Sequence, residues 1–310
     1  GGICGSDLHY YHAGGFGAVR VRQPMVLGHE AAGVVEAVGA GVTHVQPGDA
    51  VAVNPSLPCG TCAQCLGGRP IHCLEMRFLG SAMRMPHVQG AFRSAFTCEA
   101  PRAVKLPQGL SVERAAFAEP LSVCLHAASQ AGALLGARVL VTGSGPIGVL
   151  CASVARLAGA REVVVTDLVA APLAIARAMG ADRTHAMGED PDALAPYAAN
   201  KGYFDAVFEA SGSGAALVGA LAVVRPGGVV VQVGVGGDAA IPLSALVARE
   251  IRLVGTFRFH AEFAHAVEVL ASGRLDPSPM LTEVVPAADA VRAFDLASDR
   301  RRAMKVQLAF

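Results

Sequence analysis

The sequence is short of charge. Only 16% of its 310 residues are Asp, Glu, Lys or Arg, and the two signs cancel at 25 each. A chain without net charge gives no electrostatic reason to expect nucleic acid or a membrane surface as partner. No low-complexity segment and no internal repeat are present, which excludes disordered tails and solenoid architectures. The most membrane-like run, residues 139–155, is uncharged but carries Gly143, Gly145, Pro146 and Gly148 near its start. Spanning a bilayer takes about 20 mostly apolar residues, so a buried strand followed by a buried helix fits this run better. No signal peptide is recognisable, and the expected location is the cytoplasm, where thiols stay reduced.

What the chain has is apolar residues, 53% of the total, and turn formers, with 36 Gly and 18 Pro spread along it. Its length suits two domains of roughly 100–200 residues each. From about residue 1 to 120, short apolar runs such as Gly33-Val34-Val35-Glu36-Ala37-Val38 and Ala50-Val51-Ala52-Val53 are separated by Gly39-Ala40-Gly41 and Pro47-Gly48-Asp49. That texture predicts a small antiparallel β structure. From about 121 to 259 strands are expected at 139–142, 163–166, 204–208, 229–233 and 253–254, with helices at 147–157, 172–179 and 217–224. Such alternation predicts an α/β fold, a doubly wound parallel sheet covered by helices. The tail is expected to hold helices at 263–270 and 289–296 and a closing strand at 306–308.

Gly143-Ser144-Gly145-Pro146-Ile147-Gly148 directly follows an expected strand and opens an expected helix. In that setting the glycines allow a tight turn, close approach of backbone to a pyrophosphate, and close helix–strand packing. Asp167 ends the next strand, nineteen residues after Gly148. A carboxylate there accepts from ribose hydroxyls and repels a 2′-phosphate, and Leu168-Val169-Ala170-Ala171 supply no arginine, so the expected cofactor is NAD.

Cys59, Cys62, Cys65 and Cys73 place four thiols within fifteen residues. This spacing suits a closed, tetrahedral structural zinc; two disulfides are the other arrangement, for which a reducing compartment leaves little room. A catalytic zinc needs three protein ligands and an open position. Cys4, His29, Glu30 and Glu119 offer a thiol, an imidazole and carboxylates, though composition alone leaves that set open. His44, His72, His126, His185 and His265 read as ordinary core or surface residues, and Cys98, Cys124 and Cys151 as small buried hydrophobes.

Taken in order, Cys4-Gly5-Ser6-Asp7-Leu8-His9, Gly28-His29-Glu30, the four-cysteine loop and the glycine turn resemble the zinc-containing medium-chain dehydrogenases. Tyr10 and Glu119-Pro120-Leu121-Ser122 are similar to the sorbitol dehydrogenase branch, and Met76–Met83 with Pro86-His87-Val88 to members of it acting on sugar acids. The resemblance implies a GroES-like β-barrel catalytic domain over 1–120 and 260–310, with the zinc loop at 59–73, and a Rossmann NAD-binding domain over 121–259. It implies two zinc ions, NAD, a sugar acid or polyol as small-molecule substrate, oxidation of a secondary hydroxyl, and a homotetramer. Position by position, Cys4, His29 and either Glu30 or Glu119 would hold the catalytic zinc. Ser6 and His9 would relay the released proton, and Tyr10 and Arg258 would line the substrate pocket. The backbone of Val233, Gly234 and Val235 and of Thr256 and Phe257 would flank the nicotinamide. Arg84 and His87 are further candidates for a substrate carboxylate. Sorbitol, xylitol or L-threonine are the alternative substrates, and a non-catalytic dinucleotide-binding relative is the alternative class. The family carries further residues ahead of Gly1, so the chain reads as clipped, with strand edges and apolar surface left uncovered.

Overall fold

A computed structural model describes all 310 residues. They divide into two units. The first comprises Gly1–Ser122, Phe259–Asp299 and Ala303–Phe310; the second comprises Val123–Arg258 and Arg300–Arg302.

The second unit is built on a six-stranded parallel sheet. Its spatial order is Arg183–Ala186, Glu162–Asp167, Arg138–Thr142, Phe204–Glu209, Val224–Gln232 and Arg252–Gly255. Winding therefore reverses between Arg138–Thr142 and Phe204–Glu209, and doubly wound sheets bind ligands beyond the carboxyl ends of strands at such a reversal. The β-branched runs explain the sheet's centre. Val139, Leu140, Val141, Val163, Val164, Val165, Val207 and Phe208 are fully buried because helices cover both faces. Helices Pro146–Leu157, Ala171–Ala178 and Gly214–Val223 connect the strands. The edge strand Arg183–Ala186 was not expected from Arg-Thr-His-Ala; its pairing with Val164–Asp167 organises it rather than its own hydrophobicity.

The first unit has shorter strands. Ala31–Val34, Ala50–Val53 and Ala103–Lys105 form an antiparallel sheet. The apolar run that begins at Gly33 leaves the ladder after Val34, because its hydrogen bonds pass to the turn at Pro47-Gly48-Asp49: Val35 N donates to Asp49 O at 2.9 Å. Val45, Val51, Val53, Leu79 and Val88 pack behind this sheet. A second core joins Ile3, Val285, Phe294, Val306 and Leu308, uniting the chain's start with helix Ala290–Ser298 and the strand Lys305–Ala309. An apolar groove of about 1130 Å³ opens on this unit, lined by Val34, Val38, Val42, Phe96 and Phe310 among others. No helix of the chain is long and apolar enough to cross a membrane.

Candidate active site

In the first unit, residues 1–3 lie between Glu30 and the closing strand. Gly2 N donates to Glu30 O at 2.7 Å, and Ile3 N donates to Val306 O at 2.9 Å. This pairing delivers Cys4 to the start of helix Gly5–Ala13, an element not read from the sequence. Ligand atoms of Cys4, His29 and Glu30 all lie within 4.8 Å of one another. Cys4 is half-buried, while His29 and Glu30 are buried.

Asp7 braces the group. Its Oδ2 accepts from Cys4 N at 3.0 Å, its Oδ1 accepts from Gly28 N at 3.0 Å, and Oδ1 lies 3.6 Å from His29 Nδ1. Burial works against a charge on His29, but Asp7 and then Cys4 outweigh it and hold the imidazole well above the usual histidine range. A thiol, an imidazole and a carboxylate facing one point, with a carboxylate behind the imidazole, match the donors of an open zinc centre. The residues present fit a catalytic zinc.

Glu30 has a second partner. Lys305, 2% exposed, donates from Nζ to both carboxylate oxygens at 2.7 and 2.8 Å and to Ile3 O at 3.1 Å. Glu119 lies in the first turn of helix Ala118–Ala131 and is buried; its charge acts on both His29 and Lys305, but it stands outside the close trio.

The four sulphurs of Cys59, Cys62, Cys65 and Cys73 also lie within 4.8 Å of one another, and none forms a disulfide. Tetrahedral zinc with bonds of about 2.3 Å would set its sulphurs about 3.8 Å apart; those of Cys62 and Cys73 are 4.0 Å apart. Backbone N–H groups point at the sulphurs, from Cys59 and Glu75 to Cys73 and from Cys62 to Cys59. Hydrogen bonds from Thr61 bring the Cys59 thiol down to about 6, so a thiolate forms readily. This loop fits a structural zinc.

The glycine turn sits at the carboxyl end of Arg138–Thr142. A Cβ on Gly148 would come within 1.8 Å of Gly143 O, so packing alone demands glycine there. At Gly145 a Cβ would meet nothing within 4 Å. The protein's own packing gives no reason for that glycine, whereas a pyrophosphate over the start of helix Pro146–Leu157 does. Asp167, 5% exposed, accepts from Ser144 N at 2.7 Å and from Val169 N at 3.0 Å, which fixes it beside the turn. The residues fit a dinucleotide. Glu209, fully buried, organises the neighbouring strand ends: its carboxylate accepts from Ser211 N, Gly212 N and Gln232 Nε2, and its carbonyl from Val233 N and Gly234 N. Thr256 N donates to Gln232 O at 3.2 Å, and Val235 is exposed.

The remaining sequence candidates fall as follows. Ser6 is half-buried and His9 exposed, both on helix Gly5–Ala13. Tyr10 is buried, and its hydroxyl accepts from Ala82 N at 3.1 Å. The Arg258 guanidinium lies 4.9 Å from the centre of the Phe257 ring. Arg84 is paired with Glu75 and donates to Leu74 O, and both ring nitrogens of His87 are engaged, one with Arg22 N and one with Arg84 O. Sequence reasoning missed Asp7 and Lys305. An acid three residues after Cys4, where a helix capping box would put it, was a signal for the first; a lysine 275 residues from its partner gave none.

Known proteins resemble this chain along its whole length. The alcohol dehydrogenase GroES-like domain matches residues 1–108, and the zinc-binding dehydrogenase family matches residues 146–272. The chain is 44% identical over 311 residues to the protein of Escherichia coli (strain K12) named L-idonate 5-dehydrogenase (NAD(P)(+)), covering 100% of this chain and 90% of that one. The crystal structure of L-idonate 5-dehydrogenase from E. coli K-12 superposes with a TM-score of 0.96, covering 100% of this chain and 89% of the other. Sorbitol dehydrogenase of Gallus gallus is 38% identical over 311 residues, covering 99% and 86%.

Proposed function

The chain belongs to the zinc-binding dehydrogenase family, the medium-chain dehydrogenases, and on that footing we propose that it oxidises the C5 hydroxyl of L-idonate with NAD as hydride acceptor. It is a zinc-dependent enzyme. The full-length likeness to the E. coli enzyme supports idonate; the lower identity to a sorbitol dehydrogenase makes polyols the next substrates to try. The balanced reaction is L-idonate plus NAD⁺ giving 5-dehydro-D-gluconate, NADH and a proton.

Zinc held by Cys4, His29 and Glu30 supplies the Lewis acid that makes a substrate hydroxyl acidic. NAD supplies the hydride acceptor, and the chain supplies position and proton traffic. Glu119, buried nearby, accepts a hydrogen bond from the substrate hydroxyl or from the water it replaces. The hydroxyl proton leaves by Ser6 and then His9. Their i,i+3 spacing puts them on one face of the helix, and exposure rises from Ser6 to His9. An exposed imidazole can pass a proton to buffer. Tyr10, whose oxygen already accepts from Ala82 N, keeps its own O–H to donate to substrate. Arg258 takes the substrate carboxylate, for which a guanidinium fork is the best partner. Gly143, Gly145, Pro146, Ile147, Gly148 and Asp167 hold the dinucleotide; the backbone of Val233, Gly234, Val235, Thr256 and Phe257 borders its nicotinamide. Free thiols at both metal sets support a cytoplasmic setting, and the branch supports a homotetramer, testable by light scattering.

Steady-state rates with L-idonate, sorbitol, xylitol and L-threonine test the reading. L-idonate is expected to give the highest kcat/KM; a preference for sorbitol would keep the site chemistry and discard the substrate. Arg258→Ala is expected to raise KM for L-idonate and leave that for sorbitol. His9→Ala is expected to slow turnover about 10-fold or more, the low end of general acid–base contributions, with partial rescue by imidazole buffer. Equal behaviour of both substrates, or an unchanged rate, would sink those two roles.

A further inference from the structure

Glu209 ends the strand Phe204–Glu209 with a fully buried carboxylate that hydride transfer itself does not call on. Parallel pairing sets it beside Thr142 on one side and Gln232 on the other, so the apolar rows of the sheet close on a polar row. Thr142 Oγ1 donates to Oε1 at 3.3 Å, and Gln232 Nε2 donates to Oε2 at 2.6 Å. Beyond the strand, Ser211 N donates to Oε1 at 2.9 Å and Gly212 N to Oε2 at 3.0 Å. Each oxygen thus meets two donors, as a buried carboxylate must if its burial is not to be costly. The Glu209 carbonyl accepts from Val233 N and Gly234 N, both at 2.8 Å. Gln232 Nε2 reaches on to Gly234 O, also at 2.8 Å.

Hydrophobic burial does little to fix the turns held in this way. Residues 235–240 are all exposed, and none of 211–215 is buried. Yet the two turns lie backbone against backbone. A Cβ on Gly234 would come within 2.2 Å of Gly212 N, and one on Gly236 within 2.0 Å of Gly212 O. Strand pairing does not need the Glu209 side chain, since ladder bonds use backbone groups alone. What the carboxylate adds is the placing of strand-end backbone beside the reversal of the sheet, where Arg138–Thr142 and Phe204–Glu209 adjoin. A surface fixed before its ligand arrives spares binding the cost of ordering it. We propose that Glu209 is the positioning residue of the nicotinamide half of the cofactor site. It touches no cofactor atom; it holds turns 211–212 and 233–236 in the one arrangement on which the dinucleotide lies. The proposal rests on reading the backbone of Val233, Gly234 and Val235 as the border of the nicotinamide.

Glu209→Gln keeps the shape of the side chain but puts an NH2 where N–H donors converge. Its NADH dissociation constant, from fluorescence titration of the zinc-loaded protein, is expected to rise about 10-fold or more, the scale of one hydrogen bond to a charged group. KM for NAD is expected to rise with it, while KM for L-idonate at saturating NAD and the zinc content stay as in wild type. Gln232→Leu cuts the link to Gly234 and leaves the carboxylate; it is expected to weaken NADH about threefold or more. Tyr203→Phe is the control for stability alone. It removes a 2.6 Å hydrogen bond to Glu162 just before the same strand begins, and should lower Tm without changing NADH binding. Unchanged NADH binding in Glu209→Gln, or in Gln232→Leu should the first variant not fold, overturns the proposal, as does equal weakening in Tyr203→Phe. Failure of wild type to bind NADH would instead overturn the dinucleotide site itself.

Discussion

Replacing His29 with alanine is expected to leave one zinc per chain instead of two and to lower kcat/KM by about 10³-fold or more. The size follows from the several kcal/mol that a Lewis acid contributes to stabilising charge in a transition state, at about 1.4 kcal/mol per decade. His29 is the centre of the trio: it lies with Cys4 and Glu30 within 4.8 Å, and Asp7 stands behind it. The fold should survive, because the four-cysteine loop keeps its own zinc and both hydrophobic cores lie elsewhere. Metal analysis beside a steady-state assay reads both effects. Two zinc ions retained, or activity within tenfold of wild type, would remove His29 from the metal centre.

Lys305→Met is expected to destabilise the metal-free protein by about 3–5 kcal/mol, the usual result of removing one member of a buried ion pair. Glu30 and Lys305 are each 2% exposed, and both Glu30 oxygens accept from Nζ. Without the ammonium, a buried carboxylate loses the cation that both of its oxygens bind. Burial opposes the charge on Lys305, but Glu30 and then Cys4 outweigh it and raise its pKa above the ordinary lysine range. A raised pKa means that this stabilisation is complete below the unfolded value and fades only as pH climbs through the folded one, so it is intact at neutrality. Zinc binding should recover part of the loss, because the metal is a second cation for Glu30. Denaturant titration of the chelated and zinc-loaded forms measures this; a change below about 1 kcal/mol in the chelated form would mean that the pair contributes little.

Legibility in the sequence followed the range over which each feature is decided. The parallel sheet was readable because Val139, Leu140, Val141 and their counterparts at 163–165 are apolar on both faces, and the glycine turn marks where the first strand ends. The polar edge strand Arg183–Ala186 was not, since its pairing partner rather than its own residues defines it. The cysteine cluster was readable because its four thiols share fifteen residues. The trio of Cys4, His29 and Glu30 came only through family resemblance, as its members meet through strand pairing of residues 1–3. Lys305 was invisible for the same reason, its partner lying 275 residues away. A lysine is also among the last residues expected in a core unless paired, and nothing local announced the pair.

With zinc and the dinucleotide in place, hydride is expected to pass directly from the substrate carbon to the nicotinamide. L-Idonate carrying deuterium at C5 tests it most directly, with the nicotinamide of the product examined by mass spectrometry before and after removal of zinc by a chelator. Deuterium is expected on the reduced nicotinamide from the zinc-loaded protein, none after chelation, and again when zinc is restored. Reduced cofactor without deuterium, or transfer that persists in the chelated protein, would contradict it.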